Sequence, residues 1–333
     1  MKKKKNILNI VLLVGITALV LYFALKDDFK NIINIVANAK ISWLLVAVIL
    51  EFGYWFFKTL AMYNLITTAK EDYSFIKAFI LTIKAHFFHA ITPFSSGGQP
   101  YEIYDMKKNG LTLSDATNVS IQSFIVYQIA LVLLGLIAIL SNKVFHIFKS
   151  VSLLKQLVLI GFSVNLFVVV LLFTLSFSKR SNKFFTRVII NWGHGLRIIK
   201  NKEKTIERWN NYIDSFHREA KKLIKDKKKF VANIGLNFIA LVSVYMIPLA
   251  VAYSLGITTL NGLLSIVCCS YVMIIGSFVP IPGGTGGLEY AFLQFFGTFV
   301  VGPSLTALML IWRFITYYFG MILGAIVFNV ERR

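Results

Sequence analysis

Apolar runs at roughly 7–25, 41–66, 112–140, 151–177, 230–255 and 303–328 are each long enough to cross a bilayer, which takes about 20 residues as a helix. No other feature constrains the fold as strongly. In hydrocarbon a backbone N–H or C=O has no water to bond, so a spanning segment must satisfy its own polar groups, as a helix does. The chain is therefore expected to be an all-α polytopic membrane protein forming a single membrane domain over residues 1–333.

The charge pattern supports this reading. Only 15% of the 333 residues are charged and 57% are hydrophobic, whereas a soluble domain averages about 25% charged. The net charge of +20 would suggest a nucleic-acid partner in a soluble protein. Here it fits basic cytoplasmic loops facing anionic lipid, and no nucleic-acid partner is expected. MKKKKNILNIVLLVGITALVLYFAL begins like a signal peptide. Its apolar part is too long and no small-residue cleavage site follows, so it reads as an uncleaved first span with Lys2 to Lys5 inside. The only cysteines, Cys268 and Cys269, are adjacent within an apolar run and suit neither a disulfide framework nor a metal site.

Two regions do not read as simple spans. Residues 74–111 contain SFIKAFILTIKAHFFHAITPFSSGGQP, and residues 263–302 contain PIPGGTGGLEYAF, Pro280 to Phe292. The apolar run after the second motif is only about 13 residues, or about 20 Å as a helix. Charge parity decides how they cross. Residues 179–229 carry 16 Lys or Arg against 5 Asp or Glu, so the positive-inside rule places them in the cytoplasm. With the N-terminus inside, this holds only if 74–111 enters and leaves on one face. The same argument makes 263–302 a hairpin from the opposite face and puts the terminal VERR inside. The expectation is about six full spans plus two oppositely oriented re-entrant hairpins in an inverted repeat, about 41–140 and 230–328, a transporter architecture with its site near the midplane. Within 179–229, TIERWNNYIDSFHREAKKLI has apolar residues near 206, 209, 213, 216, 220 and 223–224. That is a helical period, read either as an amphipathic helix on anionic inner-leaflet lipids or as a solvated loop helix.

The hairpin motifs carry the candidate site. Pro280 and Pro282 end a helix. Gly283, Gly284, Gly286 and Gly287 permit unusual backbone geometry and close approach. A half-helix opening at Leu288 or Glu289 would offer free N–H groups to a phosphate or carboxylate; the alternative is a tight helix crossing. TPFSSGGQPYEIYDMKKNG repeats the logic with Ser95, Ser96, Gly97, Gly98 and Gln99, then Tyr101 and Tyr104. Lys107 and Lys108 read as interfacial anchors.

Charges within spans are costly and mark function by default. Arg313 lies 11 residues into the last span, with Thr306, Tyr317 and Gly320 on its face. It could bind a phosphate bidentately, with Glu289 neutralising it at rest, or form a permanent structural pair with Glu289. Glu51 and Lys58 share a helix face two turns apart, too far for direct contact, so each needs another partner. Lys84 on the first hairpin could face a cavity. His86 and His89 read as polar linkers or as proton carriers. Nucleotide-binding, nucleophile-elbow and zinc motifs are absent, so no enzyme activity and no cofactor are expected.

TPFSSGGQPYEIYDMKKNG before a long span, with PIPGGTGGLEYAF near the C-terminus, resembles the lysylphosphatidylglycerol synthase transmembrane-region family, the flippase-like membrane half of the multiple peptide resistance factor. The likeness covers about residues 10–330. Pro93, Gly97, Gly98, Pro100 and Tyr104 match the first motif; Pro282, Gly283, Gly284, Gly286, Gly287 and Glu289 match the second. In contrast to the resistance factor, the sequence to Arg333 is expected to carry no soluble synthase domain, so lysine transfer is not expected of it. The resemblance implies a translocase in the bacterial cytoplasmic membrane moving an anionic phospholipid, aminoacyl-phospholipid or glycolipid, with both termini cytoplasmic. The headgroup would sit on Arg313, Lys84 and the half-helix N-termini, and Arg313→Ala and Lys84→Ala would stop transport without unfolding the protein. Two other readings stay open: an ion-coupled carrier of a small solute, and a non-transporting partner of a lipid synthase or glycosyltransferase. A second copy of the chain is a further candidate partner.

Overall fold

The computed structural model describes residues 29–148, 152–195, 226–277 and 279–330, with isolated positions between 201 and 217. The first span at 7–25, and most of the helix expected over 206–224, lie outside the described residues. Among the described residues the chain is helical, and five of its helical segments are long and apolar enough to cross a membrane.

A short helix, α1 (Phe29–Ala37), precedes the long span α2 (Ile41–Ala69); the sequence reading assigned no element to α1. The first hairpin follows: α3 (Phe75–Ala90), one 3-10 turn at Pro93–Ser95, and α4 (Gly98–Lys108). Two further spans are α5 (Leu113–Phe145) and α6 (Ser152–Phe177). Thr112 caps α5, accepting from the Asp115 N–H at 3.1 Å while its hydroxyl donates to the Asp115 carboxylate at 2.6 Å, a reciprocal N-cap. The basic helix α7 (Lys179–Gly195) comes next.

The span expected at 230–255 is broken in two, α8 (Lys227–Tyr245) and α9 (Ile247–Ser254), meeting at Met246. Pro248 explains the break, since it cannot donate to the carbonyl four residues back. The second hairpin repeats the pattern of the first: α10 (Gly262–Gly276), a 3-10 turn at Pro282–Gly284, and α11 (Gly287–Phe296). The last crossing runs through α12 (Pro303–Arg313), a π-helical turn at Phe314–Phe319, and α13 (Gly320–Val330).

The hairpins are held in the middle of the bundle. α2 packs on α8, α9 and α3; α5 packs on α8 and α10; α13 packs on α3; and the two 3-10 turns touch each other. The α13–α3 contact is close because Gly320 and Gly324 face it. A Cβ on Gly324 would meet the Ile83 carbonyl at 2.7 Å, and one on Gly320 would meet the His86 ring at 2.6 Å. Small residues four apart let helices approach when no hydrophobic effect drives them together. The main core joins α5, α8 to α12 and the second hairpin, with Phe292 stacked between Phe296 at 4.1 Å and Trp312 at 4.6 Å. Outward faces stay apolar, including Ile41, Ile49, Phe167 and Val170. An apolar surface of that extent suits lipid rather than water.

Candidate functional site

The two motifs turn by the same backbone route with different residues. In the second, Gly283 (φ 63°) and Gly284 (φ 64°) take the left-handed conformation, and a Cβ on Gly283 would fall on the Tyr317 ring. In the first, the corresponding positions after proline are Phe94 (φ 53°) and Ser95 (φ 51°), residues that pay strain there. The Gly-Gly pair of TPFSSGG is therefore not the turning point. Gly97 and Gly98 are needed for space: their Cβ atoms would strike Thr92 and the His89 ring. Thr92 fixes this turn, donating to the Phe88 carbonyl at 2.7 Å and accepting from the Gly97 N–H at 2.8 Å. His89 Nδ1 lies against the Ser95 carbonyl.

Beside the touching turns lies a cavity of about 490 Å³. Of the residues expected from sequence, it brings together Arg313, Glu51, Lys58, Ser95, Gln99, Gly283 and Gly284. His86, His89, Thr316 and Tyr317 also line it. Other expected residues lie elsewhere. Ser96 donates to the Pro93 carbonyl at 2.9 Å, Tyr104 is 63% exposed, and Gly97, Gly98, Gly286 and Gly287 shape the turns without lining the cavity.

Arg313 and Glu289 form a pair. Arg313 Nε donates to Glu289 Oε1 at 2.6 Å, and its Nη2 donates to the Gly283 carbonyl. The Tyr317 ring lies 4.3 Å from the guanidinium, and the Tyr317 hydroxyl donates to Ala90 of the first hairpin at 3.0 Å. Glu289 also accepts from the Gly286 N–H at 2.6 Å. The half-helix terminus expected to receive a phosphate is thus capped by its own side chain. Arg313 and Tyr317 tie together the last crossing and both hairpin turns.

Lys84 is likewise engaged. It is 1% exposed, donates to Asp105 Oδ1 at 2.7 Å and lies over the Tyr101 ring. Asp105 also accepts from the Tyr101 hydroxyl at 3.2 Å and from Asn109 at 3.2 Å. Instead of facing the cavity, Lys84 joins the two arms of the first hairpin. The sequence reading passed over Asp105, although its place on an arm facing Lys84 was a usable signal.

Lys58 differs. Among the described residues its partners are the Tyr54 hydroxyl at 3.4 Å and the Tyr54 and Tyr127 rings at 5.6 and 5.4 Å. No carboxylate among the described residues lies within ion-pair distance of it. Glu102, another residue the sequence reading missed, accepts from Ser120 at 2.7 Å in the same cavity. The polar wall continues through Gln128, Asn165 and Ser277, linked at 3.4 and 3.3 Å across α5, α6 and α10. The cavity thus offers one ammonium free of acid, two carboxyl groups and several neutral donors, enclosed by an apolar bundle. That combination can hold a charged or polyhydroxylated group away from hydrocarbon.

The chain matches the family described as the lysylphosphatidylglycerol synthase TM region over residues 7–324. It is also 23% identical over 348 residues to a UPF0104 membrane protein of Archaeoglobus fulgidus, covering 97% of this chain and 95% of that one. The chain belongs to the lysylphosphatidylglycerol synthase TM region family.

Proposed function

We propose that this family member is a lipid translocase, carrying the headgroup of an anionic phospholipid, aminoacyl-phospholipid or glycolipid between leaflets. The observation that carries the reading is Lys58: a cation with no acid partner among the described residues, in a polar cavity where two broken helices meet inside an otherwise apolar bundle. An ammonium in such a place attracts a phosphate. The acyl chains would remain in lipid while the headgroup crosses.

In this reading the hairpins are re-entrant and enter from opposite faces, and both termini are cytoplasmic. The basic helix α7 supports that orientation. Lys179, Arg180, Lys183 and Arg187 accompany exposed Phe184, Val188 and Trp192, spaced four apart. Such a helix suits an anionic inner leaflet.

The test is transfer of a fluorescent phosphatidylglycerol in phosphatidylcholine vesicles containing the purified protein, read by dithionite quenching. Wild type should move the probe well above protein-free vesicles. Lys58→Ala should lose about tenfold or more, and Lys58→Arg should retain part. Equal rates for wild type and Lys58→Ala would defeat the headgroup assignment. A rival reading, carriage of a small solute, draws on the cavity volume of about 490 Å³, within the range of small-ligand sites. Solute uptake without lipid transfer would favour it.

A further inference from the structure

Glu51 is one of the cavity's two carboxyl groups, and the more isolated of them, since Glu102 accepts from Ser120. Glu51 is 0% exposed, neither carboxylate oxygen has a hydrogen-bond partner, and it belongs to the cavity wall. The indole N–H of Trp55, one turn along, interacts with this carboxylate but falls short of hydrogen-bond geometry. Lys58 lies two turns away on the same helix, about 10 Å along its axis, too far for an ion pair. An isolated carboxylate in such a place is strongly disfavoured. Either a proton or a cation must neutralise it. Lys58 offsets that charge at a distance, so once Lys58 is engaged by another anion the proton is what remains.

The groups sharing the cavity with Glu51 set the sign of the effect. Its own helix contributes Lys58 and Tyr54. The first hairpin contributes His86, His89 and Glu102, and Arg313 lies on the last crossing, already neutralised by Glu289. Tyr127, Tyr245 and Tyr317 complete the titratable wall. Lys58 is the unpaired cation that stabilises an ionised Glu51 at a distance. An anionic headgroup docking on Lys58 would cancel that help and add a negative charge, so the carboxylate would gain a proton.

We propose that Glu51 is a proton-binding site coupled to headgroup occupancy. The carboxyl takes a proton from water when an anionic headgroup binds at Lys58 and returns it to water when the headgroup leaves. One O–H bond forms and later breaks, and nothing is oxidised or reduced. This rests on the translocase reading, and its consequence is that lipid movement responds to a pH gradient.

The experiment uses the purified full chain in phosphatidylcholine vesicles with fluorescent phosphatidylglycerol and an enclosed pH dye. Reversing the imposed pH gradient should change the wild-type transfer rate several-fold, and transfer should move the dye signal. Glu51→Gln, fixed in the neutral form, should transfer lipid without responding to the gradient. Glu51→Asp keeps a carboxyl and should keep the response. Wild-type transfer that ignores the gradient overturns the proposal by itself and leaves the translocase reading standing. Retained gradient response in Glu51→Gln overturns it too, as does equal loss in both variants, which marks a packing role. No lipid transfer by wild type under any gradient defeats the translocase reading and the proposal with it.

Discussion

Removing Arg313 tests whether it is part of the frame or a headgroup ligand. Its guanidinium and the Glu289 carboxylate are 6% and 5% exposed, so Arg313→Ala leaves a buried carboxylate whose remaining partner is the Gly286 N–H. Stranding one member of a buried pair costs about 3–5 kcal/mol. The variant also loses the bond to the Gly283 carbonyl and the stacking on Tyr317. Against a total stability of about 5–15 kcal/mol, that is a large share. The melting temperature in detergent should fall by roughly 5 °C or more. Glu289→Gln should be destabilising as well, but pairing it with Arg313→Met should cost less than the two single changes added, because no charge is then stranded. The double-mutant cycle should give a coupling of at least about 1 kcal/mol. Arg313→Ala melting within about 1 °C of wild type, with additive single effects, would refute the argument. Arg313 would then be free to serve substrate, as the sequence alone suggested.

Three further outcomes are expected. Lys84→Ala should strand Asp105 and lower thermal stability by about 3 kcal/mol, with Lys84→Met plus Asp105→Asn recovering much of it in the same melting assay. Phe94→Gly should stabilise by about 1 kcal/mol by relieving a left-handed residue, whereas Gly283→Ala should destabilise by about 2 kcal/mol or more, having both a positive φ and a clash with Tyr317; chemical denaturation of the two variants separates these signs. Gly324→Val should force α13 away from α3, where the Ile83 carbonyl and Phe87 leave no space, and cost about 1–3 kcal/mol, seen as a lower melting temperature.

Much of the plan was legible before any coordinates. The spans at 41–66, 112–140, 151–177 and 303–328 correspond to long helices with modest shifts at their ends, because run length against bilayer thickness is a local property. The two hairpins were legible too, since Pro and Gly-Gly between short apolar runs break helices wherever they occur. The break at Met246 was missed, although Pro248 announced it. The turning residues of the first motif were also misplaced, because glycine can serve either backbone freedom or close packing. Residue type does not tell these apart: Gly283 needs its φ, while Gly97 and Gly98 need their missing Cβ.

The partnering of charges was least legible. Sequence alone determined that Glu51, Lys58, Lys84, Glu289 and Arg313 sit in or beside apolar segments, and hence that each matters, because an ionised group in hydrocarbon is expensive wherever it falls. Tertiary structure decided which of them are already compensated. Lys84 meets Asp105 and Arg313 meets Glu289 across 21 and 24 residues of chain, while Lys58 and Glu51 are left facing the cavity without an ion-pair partner among the described residues. The reason is physical. The cost of a buried charge is set by its own burial, which hydropathy forecasts, but its compensation requires an opposite charge within about 4 Å, and only the packing of one helix against another brings two such groups that close.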